Sequence, residues 1–502
     1  MTDYRNATLN QKSDAWFTPE NGETIRTEIA VIGGGASGCM AAIGAAESGA
    51  SVVVFDKNDR PARKICATGN GRCNLVNLYQ DEKCWYTSSG VSVRGRLASF
   101  SERDLLAFFE ERGIWFHDRQ GYVYPGTDQA SVIADLLIRE MNRLQVGVFP
   151  GTRVTGIEKD PSGAFRITVE SVGGSDPGKE KNNRNRRKKE DPHKFDRNRY
   201  DRDRYDRNRY ARNRYDRDRN LKTESVQEIP ERRICLADRV ILCTGGLAGP
   251  VFGCGGDGYA LAESLGHSLV PTVPALTSLI CPEKALKMAA GVRCPAAVTL
   301  ICDGEETGSE QGELQITETA VSGIPVFQLS RLAGYALREG REVRVRADFL
   351  PGMPEEEWQK HVDLRLRDDR NQTLEQLFMG LVHPKLLRFI LNRLGLVSEQ
   401  KRAGVKTEQI RQVLQLMRGL DFEITDLAGY EKAQVTAGGI PLTETDPDTM
   451  ESLACPGLYL AGELLDADGI CGGYNLQWAM TGGLLAGRAA AGKMNREVNH
   501  EV

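Results

Sequence analysis

A chain of 502 residues is longer than one hydrophobic core usually serves, so two or three domains are expected, one set into another. Its 65 Lys and Arg against 69 Asp and Glu leave a formal charge of -4, which argues against a general nucleic-acid binder. No run of about 18 apolar residues predicts a membrane span, and twelve singly scattered cysteines behind a polar N-terminus without an export pattern point to reduced thiols in a cytoplasm. Neither C-x-x-C nor H-E-x-x-H occurs, so no metal site is expected.

After a polar tail (residues 1–25), Glu28–Ile32 reads as a buried strand running into Gly33-Gly34-Gly35-Ala36-Ser37-Gly38. An apolar helix to Glu47, a stop at Gly49 and a strand from Ser51 to Phe55 follow, ending at Asp56 and Lys57. Strand, glycine turn, helix, strand and acid stand in the order of a βαβ unit. Gly33 permits the tight turn, Gly35 lets the backbone approach a pyrophosphate, and Gly38 lets helix and strand pack closely. The helix start at Ala36 and Ser37 offers free N–H groups to phosphate. Asp56, 18 residues after Gly38, suits a ribose hydroxyl pair and disfavours a 2'-phosphate, so FAD or NAD is expected rather than NADP.

The stretch Ala62–Asn74, ARKICATGNGRCN, raises three readings of Cys73: redox thiol, metal ligand or cofactor wall. The first needs a lowered pKa, which neighbouring Arg72 could supply. Residues 104–112 and 128–143 look helical, and 146–154, 165–170 and 239–243 look like strands. Within residues 172–231 lies a low-complexity insertion, with five tandem five-residue units from Asp196 (DRNRY, DRDRY, DRNRY, ARNRY, DRDRN). Residues 179–220 hold 18 Lys or Arg and 9 Asp or Glu with almost no aliphatic residue, which reads as a solvated, disordered loop between two hairpin strands. The sharper alternative is an Arg/Tyr arm that touches RNA, although the interleaved aspartates would repel phosphate.

Val240–Cys243 is a strand entering the turn Thr244-Gly245-Gly246, and Gly253–Gly258 lacks a preceding strand and suits a helix cap. With no second nucleotide fingerprint, NADH or NADPH would bind only transiently, over the flavin, or the electron donor is another molecule. Residues 271–349 hold short β-rich runs and 354–421 are helical and charged. Residues 429–502 return to strand and glycine-turn chemistry, with Gly457–Gly462 running into Glu463, then Gly472, Gly473 and a helix near Tyr474-Asn475. Such a C-terminal return can aim a helix N-terminus at a reduced isoalloxazine, which favours FAD over NAD.

The motifs VIGGGASG, KICATGNGRCN, GYVYPGTDQAS, GELQITETAVSGIPVFQLS, VTAGGIP and GLYLAGELLDADGICGGYNLQWAMTGG resemble those of the BaiN/RdsA-type FAD-dependent oxidoreductases, also labelled aminoacetone oxidase-like. The resemblance implies an α/β fold: a Rossmann-like FAD-binding domain in two segments (26–268 and 429–502), with an inserted β-barrel-like domain (269–350) and a helical domain (351–428). It places Lys64, Gly71, Arg72, Cys73 and Asn74 along the flavin. Cys66 departs from the aliphatic residue of relatives, and Cys471 could approach the ring. It implies a reductase in which NAD(P)H reduces FAD and FAD reduces an electron-poor C=C, in a bile-acid enone or, as the commoner role, in a uridine of ribosomal RNA. Catalytic candidates are Cys73, Tyr124, Glu318 and Tyr474; the proton donor is open among Tyr124, Glu318, Tyr474 and His267, of which His267 more often reads as structural. The alternatives are an oxygen-using amine oxidase and, in another class, a non-catalytic flavin sensor or RNA-binding protein. Oligomeric state is not readable.

Overall fold

Five parallel strands make up most of the seven-stranded first sheet of the computed structural model, which describes residues 24–172, 232–368 and 370–498. Their spatial order is Gly147–Pro150, Val52–Asp56, Thr24–Ile32, Arg232–Leu242 and Leu458–Leu460. Val52–Asp56 is buried along its whole length, as expected for a parallel strand covered on both faces, where side chains need not alternate. The 11-residue strand Arg232–Leu242 serves two neighbours on one edge. Its first half pairs antiparallel with Phe165–Ser171 and its last three residues pair parallel with Leu458–Leu460. With Thr152–Lys159 it makes an antiparallel meander beside the parallel layer.

The register Glu170↔Arg232 places the two ends of the 172–231 insertion on adjacent strands. The repeat itself, and the RNA contact and disorder expected of it, lie outside the described residues, as does most of the N-terminal tail.

Helix Tyr474–Val498 packs on helix Ala36–Glu47, which opens at the glycine turn. A Cβ added at Gly483 would stand 2.1 Å from the Ser37 carbonyl oxygen, and one at Gly487 would stand 2.1 Å from that of Ala41. Small residues four apart therefore set the crossing, and the C-terminal helix is backbone-close to the turn that starts the chain's first helix.

A second core serves everything between residues 279 and 427. Its seven-stranded sheet runs Leu420–Ile424, Val343–Asp348, Arg293–Cys302, Glu305–Ile316, Ala320–Ser322, Leu279–Ile280 and Asp426–Leu427. The two end strands are separated only by Thr425, so the sheet must curl until its edges meet. Helices Glu355–Leu366, Pro384–Arg393 and Thr407–Arg418 bury Phe389, Ile390, Val413 and Met417 in the same cluster as Val298, Leu300 and Val345. The β-rich and helical stretches thus share one core. Helix Ile324–Arg338 lies between this body and the cofactor half, contacting both through Ser330, Gln328 and Arg331.

Candidate functional site

The glycine turn is built so that only a ligand can complete it. Gly33 sits at φ +97°, and a Cβ there would fall 2.4 Å from the Cys243 carbonyl oxygen. At Gly38 it would fall 1.8 Å from the Gly33 carbonyl oxygen. Beside Gly35 there is open space, with no atom within 4 Å of the built position. Helix Ala36–Glu47 has no side-chain cap and no acid in its first turn. Its first N–H groups, at Ala36, Ser37 and Gly38, have no intrahelical partners and face a positive dipole end, the donor set a pyrophosphate needs. The residues therefore fit a dinucleotide cofactor.

Asp56 is buried and does more than await a ribose. Its Oδ2 accepts the Gly34 N–H at 2.8 Å, and its Oδ1 accepts the Asn58 N–H at 2.7 Å and the Asn58 amide at 2.9 Å. Burial raises its pKa against these hydrogen bonds. Lys57 is taken up by an ion pair with Asp257 at 2.5 Å, and Asp257 also binds Arg153 at 2.7 Å. These groups rim an open cavity of about 470 Å³ beside Asn58 and Gly253.

The two segments of the cofactor half are tied by a network the sequence motifs only partly show. Glu463 Oε2 accepts Lys64 Nζ at 2.8 Å, and Lys64 also donates to the Ala248 carbonyl at 2.9 Å. Glu463 Oε1 accepts the Thr436 N–H at 3.0 Å and its hydroxyl at 2.9 Å. The Thr436 oxygen in turn accepts the N–H groups of Leu247 and Ala248, just after Thr244-Gly245-Gly246. Burial pulls the Lys64 pKa down, but the charge and hydrogen bond of Glu463 together with those of Cys254 outweigh it, and the ammonium is held. Thr436 lies in VTAGGIP and was missed as a site residue, because a lone Thr beside glycines carries no signal of its own.

The loop Lys64–Asn74 turns through Gly69, Asn70, Gly71 and Cys73, all at positive φ. The Asn74 amide nitrogen reaches the carbonyls of Val76 and Val123, and Arg72 is exposed. Cys73 is fully buried, and burial pushes its thiol up to about 12, the opposite of what a redox thiol requires. A hydrogen bond from the Thr68 side chain works against that burial without overcoming it, and Arg72 is not among the groups acting on the thiol. Cys73→Ser is expected to keep bound FAD and to hold turnover within about threefold, checked by flavin content and steady-state rates; a loss of flavin reduction would restore the redox thiol.

The C-terminal turn closes the site. Asn475 clasps it, accepting the Gly469 N–H and donating to the Gly469 carbonyl, each at 2.8 Å. Gly472 lies against the Tyr122 ring and Gly473 against the Val76 backbone, so the start of helix Tyr474–Val498 meets the strand that follows Cys73. Asp468–Gly469 pairs with Trp85–Tyr86, and the Cys471 N–H donates to Gln328 at 2.9 Å. Burial pushes Cys471 up to about 12 as well.

Of the expected proton donors, Tyr474 is corrected. It is fully buried, donates to the Tyr79 carbonyl at 2.8 Å, packs edge-on against Trp85, and burial drives its pKa far above the ordinary phenol value. It is a packing residue. Glu318 is exposed on the turn between strands Glu305–Ile316 and Ala320–Ser322. Tyr124 stacks on His117 at 5.9 Å, two residues along its strand from Tyr122. His267 is buried between Glu444 at 2.7 Å and Ser452 at 2.8 Å, a structural arrangement.

One carboxyl beside the turn was not singled out from sequence. Asp468 is buried and binds Arg331 Nε at 2.9 Å. Burial, only partly offset by Arg331, pushes it up to about 7. Arg331 stays cationic, because the facing carboxylate reverses what burial alone would do. An acid whose folded pKa is raised contributes stability that is full below its ordinary value of 3.8 and is lost as pH rises through about 7. The melting temperature of the native protein minus that of Asp468→Asn should therefore fall between pH 4 and pH 7, and a flat difference would refute the assignment.

Among the described residues no helix is long and apolar enough to cross a membrane, and no group of His, Cys, Asp and Glu could hold a metal ion.

A parallel sheet opening on an uncapped glycine turn, with a second chain segment returning to complete it, defines an FAD-dependent oxidoreductase of Rossmann type. The HI0933-like protein Rossmann domain model matches residues 27–176 and 208–489, and the chain belongs to this family. It is 36% identical over 465 residues to the 3-dehydro-bile acid delta(4,6)-reductase of Clostridium scindens, covering 92% of this chain and 98% of the relative. It is 25% identical over 461 residues to the ribosomal RNA dihydrouridine synthase of Haemophilus influenzae, covering 90% and 96%. Among solved structures, the 3-ketosteroid delta1-dehydrogenase of Sterolibacterium denitrificans shares 14% identity, with 93% of this chain and 100% of that one covered, at a TM-score of 0.45.

Proposed function

We propose that the protein reduces an electron-poor C=C bond of a small enone, with NADH or NADPH as the electron donor. The observation that carries this is the end-to-end match to a relative named as a bile-acid reductase, at 36% identity over 98% of its length. Bound FAD supplies the two-electron hydride chemistry. The chain's part is to hold it: Gly33–Gly38 and the helix start take the pyrophosphate, and the cavity beside Lys57, Asn58 and Arg153 suits the adenosine end. Lys64, Glu463 and Thr436 lock the two chain segments around the remainder. The buried walls at Cys73, Val76 and Trp478 keep water from the ring side.

Uridine in ribosomal RNA is the second reading, favoured by the two relatives of that name at 25% identity. An amine oxidase or a flavin sensor has no comparable support. The test is the anaerobic visible spectrum of the purified protein before and after NADH or NADPH, followed by addition of a conjugated enone. The flavin band should bleach with the nicotinamide and return with the enone. A band that neither nicotinamide bleaches would overturn the donor, and one that returns only with oxygen, releasing peroxide, would establish the oxidase. If the enone fails and disrupting the gene removes dihydrouridine from ribosomal RNA, the uridine reading replaces the first.

A further inference from the structure

Arg331 is a cation whose hydrogen-bonding capacity is only partly used. It projects from helix Ile324–Arg338 toward the C-terminal turn of the cofactor half, where Nε donates to Asp468 at 2.9 Å. Its guanidinium carbon lies 5.2 Å from the centre of the Tyr86 ring and 5.1 Å from that of Tyr335. Both rings are fixed. Tyr86 is paired through its backbone with Asp468, and the Tyr335 hydroxyl donates to the Pro271 carbonyl at 3.2 Å. The guanidinium is thus held by Asp468 at Nε and lies over two aromatic rings. Its terminal nitrogens meet no acceptor among the described residues, although the side chain is only 13% exposed. These nitrogens are not among the buried unpartnered atoms, so a ligand oxygen would take the place of water there.

The neighbourhood decides what kind of oxygen. Asp468 hydrogen-bonds Arg331, Asp466 acts on the same guanidinium, and Glu310 acts with Asp468 on Tyr86. Asp466 is itself buried, and its Oδ1 has no partner among the described residues. A ligand carboxylate would add a negative charge where acids already exceed the one cation. A neutral carbonyl can accept from both terminal nitrogens without that repulsion.

We propose that Arg331, oriented by Asp468 and the rings of Tyr86 and Tyr335, is the substrate-binding residue for the neutral carbonyl oxygen conjugated to the alkene. This rests on the reductase reading above. In this arrangement Arg331 touches substrate and selects conjugated carbonyl compounds over isolated alkenes and over dicarboxylates. Asp468 is a positioning residue that acts through Arg331.

The test titrates the FAD-loaded protein with 4-androstene-3,17-dione, a neutral enone, and separately with fumarate, reading calorimetric heat and the shift of the flavin band. The wild-type protein should bind the enone and not fumarate. Arg331→Met should weaken enone binding at least about tenfold, the loss of one charge-assisted contact, while Arg331→Lys should lose less. Asp468→Asn should raise Kd and KM for the enone more than it lowers kcat, with FAD content unchanged. Because Arg331→Met leaves Asp468 unpaired, the double variant Arg331→Met/Asp468→Asn serves as the folded control, and its enone affinity should match the single variant. The proposal is overturned if the wild-type protein does not bind the enone, if it binds fumarate in preference, or if either Met variant binds the enone as tightly as wild type. Arg331-dependent binding without any reduction of the bound enone would sink the reductase reading and leave the carbonyl subsite standing.

Discussion

Gly38→Ala is expected to purify without bound FAD and to lose stability by about 3 kcal/mol, the upper range for overpacking a close contact. The added methyl would stand 1.8 Å from the Gly33 carbonyl oxygen, and that neighbour is backbone, which cannot swing aside as a side chain could. Relief must come from moving the helix start away from the turn. That movement takes the N–H groups of Ala36 and Ser37 out of register with a phosphate. The ratio of flavin to protein absorbance and the urea midpoint together read both effects. A protein with a full complement of flavin would show that the turn tolerates the shift and that its glycines are not what holds the cofactor.

Removing Glu463 should be nearly as damaging for a different reason. Glu463→Ala deletes the acceptor of three hydrogen bonds and leaves the Lys64 ammonium with the Ala248 carbonyl and the Cys254 side chain but no carboxylate. The pair keeps 28% and 20% of its side-chain surface exposed, so breaking it from one side should cost less than the about 3–5 kcal/mol of a fully buried pair. Lys64→Met should cost somewhat less, since Thr436 still satisfies one oxygen of the carboxylate. The double variant Lys64→Met/Glu463→Leu should fall short of the sum of its parts by more than about 1 kcal/mol in urea unfolding, because no stranded charge remains. Strict additivity would mean that the pair contributes nothing as a pair.

The first βαβ unit was legible because three constraints coincide in a short span: a glycine spacing, an apolar period and an acid at the end of the second strand. Strands 28–32 and 51–55 and the helix between them follow from local pattern alone, and the structure extends them by only a few residues. The return of the chain at Gly457–Asn475 was legible for a related reason, a strand followed by glycines that no helix or sheet interior would tolerate. The Lys64–Glu463 tie was half visible, as two residues named separately but not as a pair. Nothing in a sequence couples positions 399 apart.

Thr436, Arg331 and Asp468 were not visible as site residues, because each owes its role to a neighbour from a distant segment. Asp468 reads as one acid among several in ELLDADG, and only burial beside Arg331 distinguishes it. Tyr474, a candidate from its place at the head of the C-terminal helix, turns its side chain to Trp85 and Tyr79, a setting that position alone does not reveal. The β-rich and helical stretches looked separable because their periodicities differ, yet periodicity reports which face is apolar and not which core that face enters.

The tie across 399 residues also orders events in time. At typical synthesis rates of about 5–20 residues per second, the glycine turn leaves the ribosome about 20–80 s before Glu463 and the helix that packs on it. Throughout that interval the nascent chain has a first strand with no strand 458–460 to finish its sheet and no Gly483 against Ser37. The body built around residues 279–427 has its own core and is free to fold meanwhile. The glycine turn therefore gains its full set of neighbours only once the C-terminal segment has emerged.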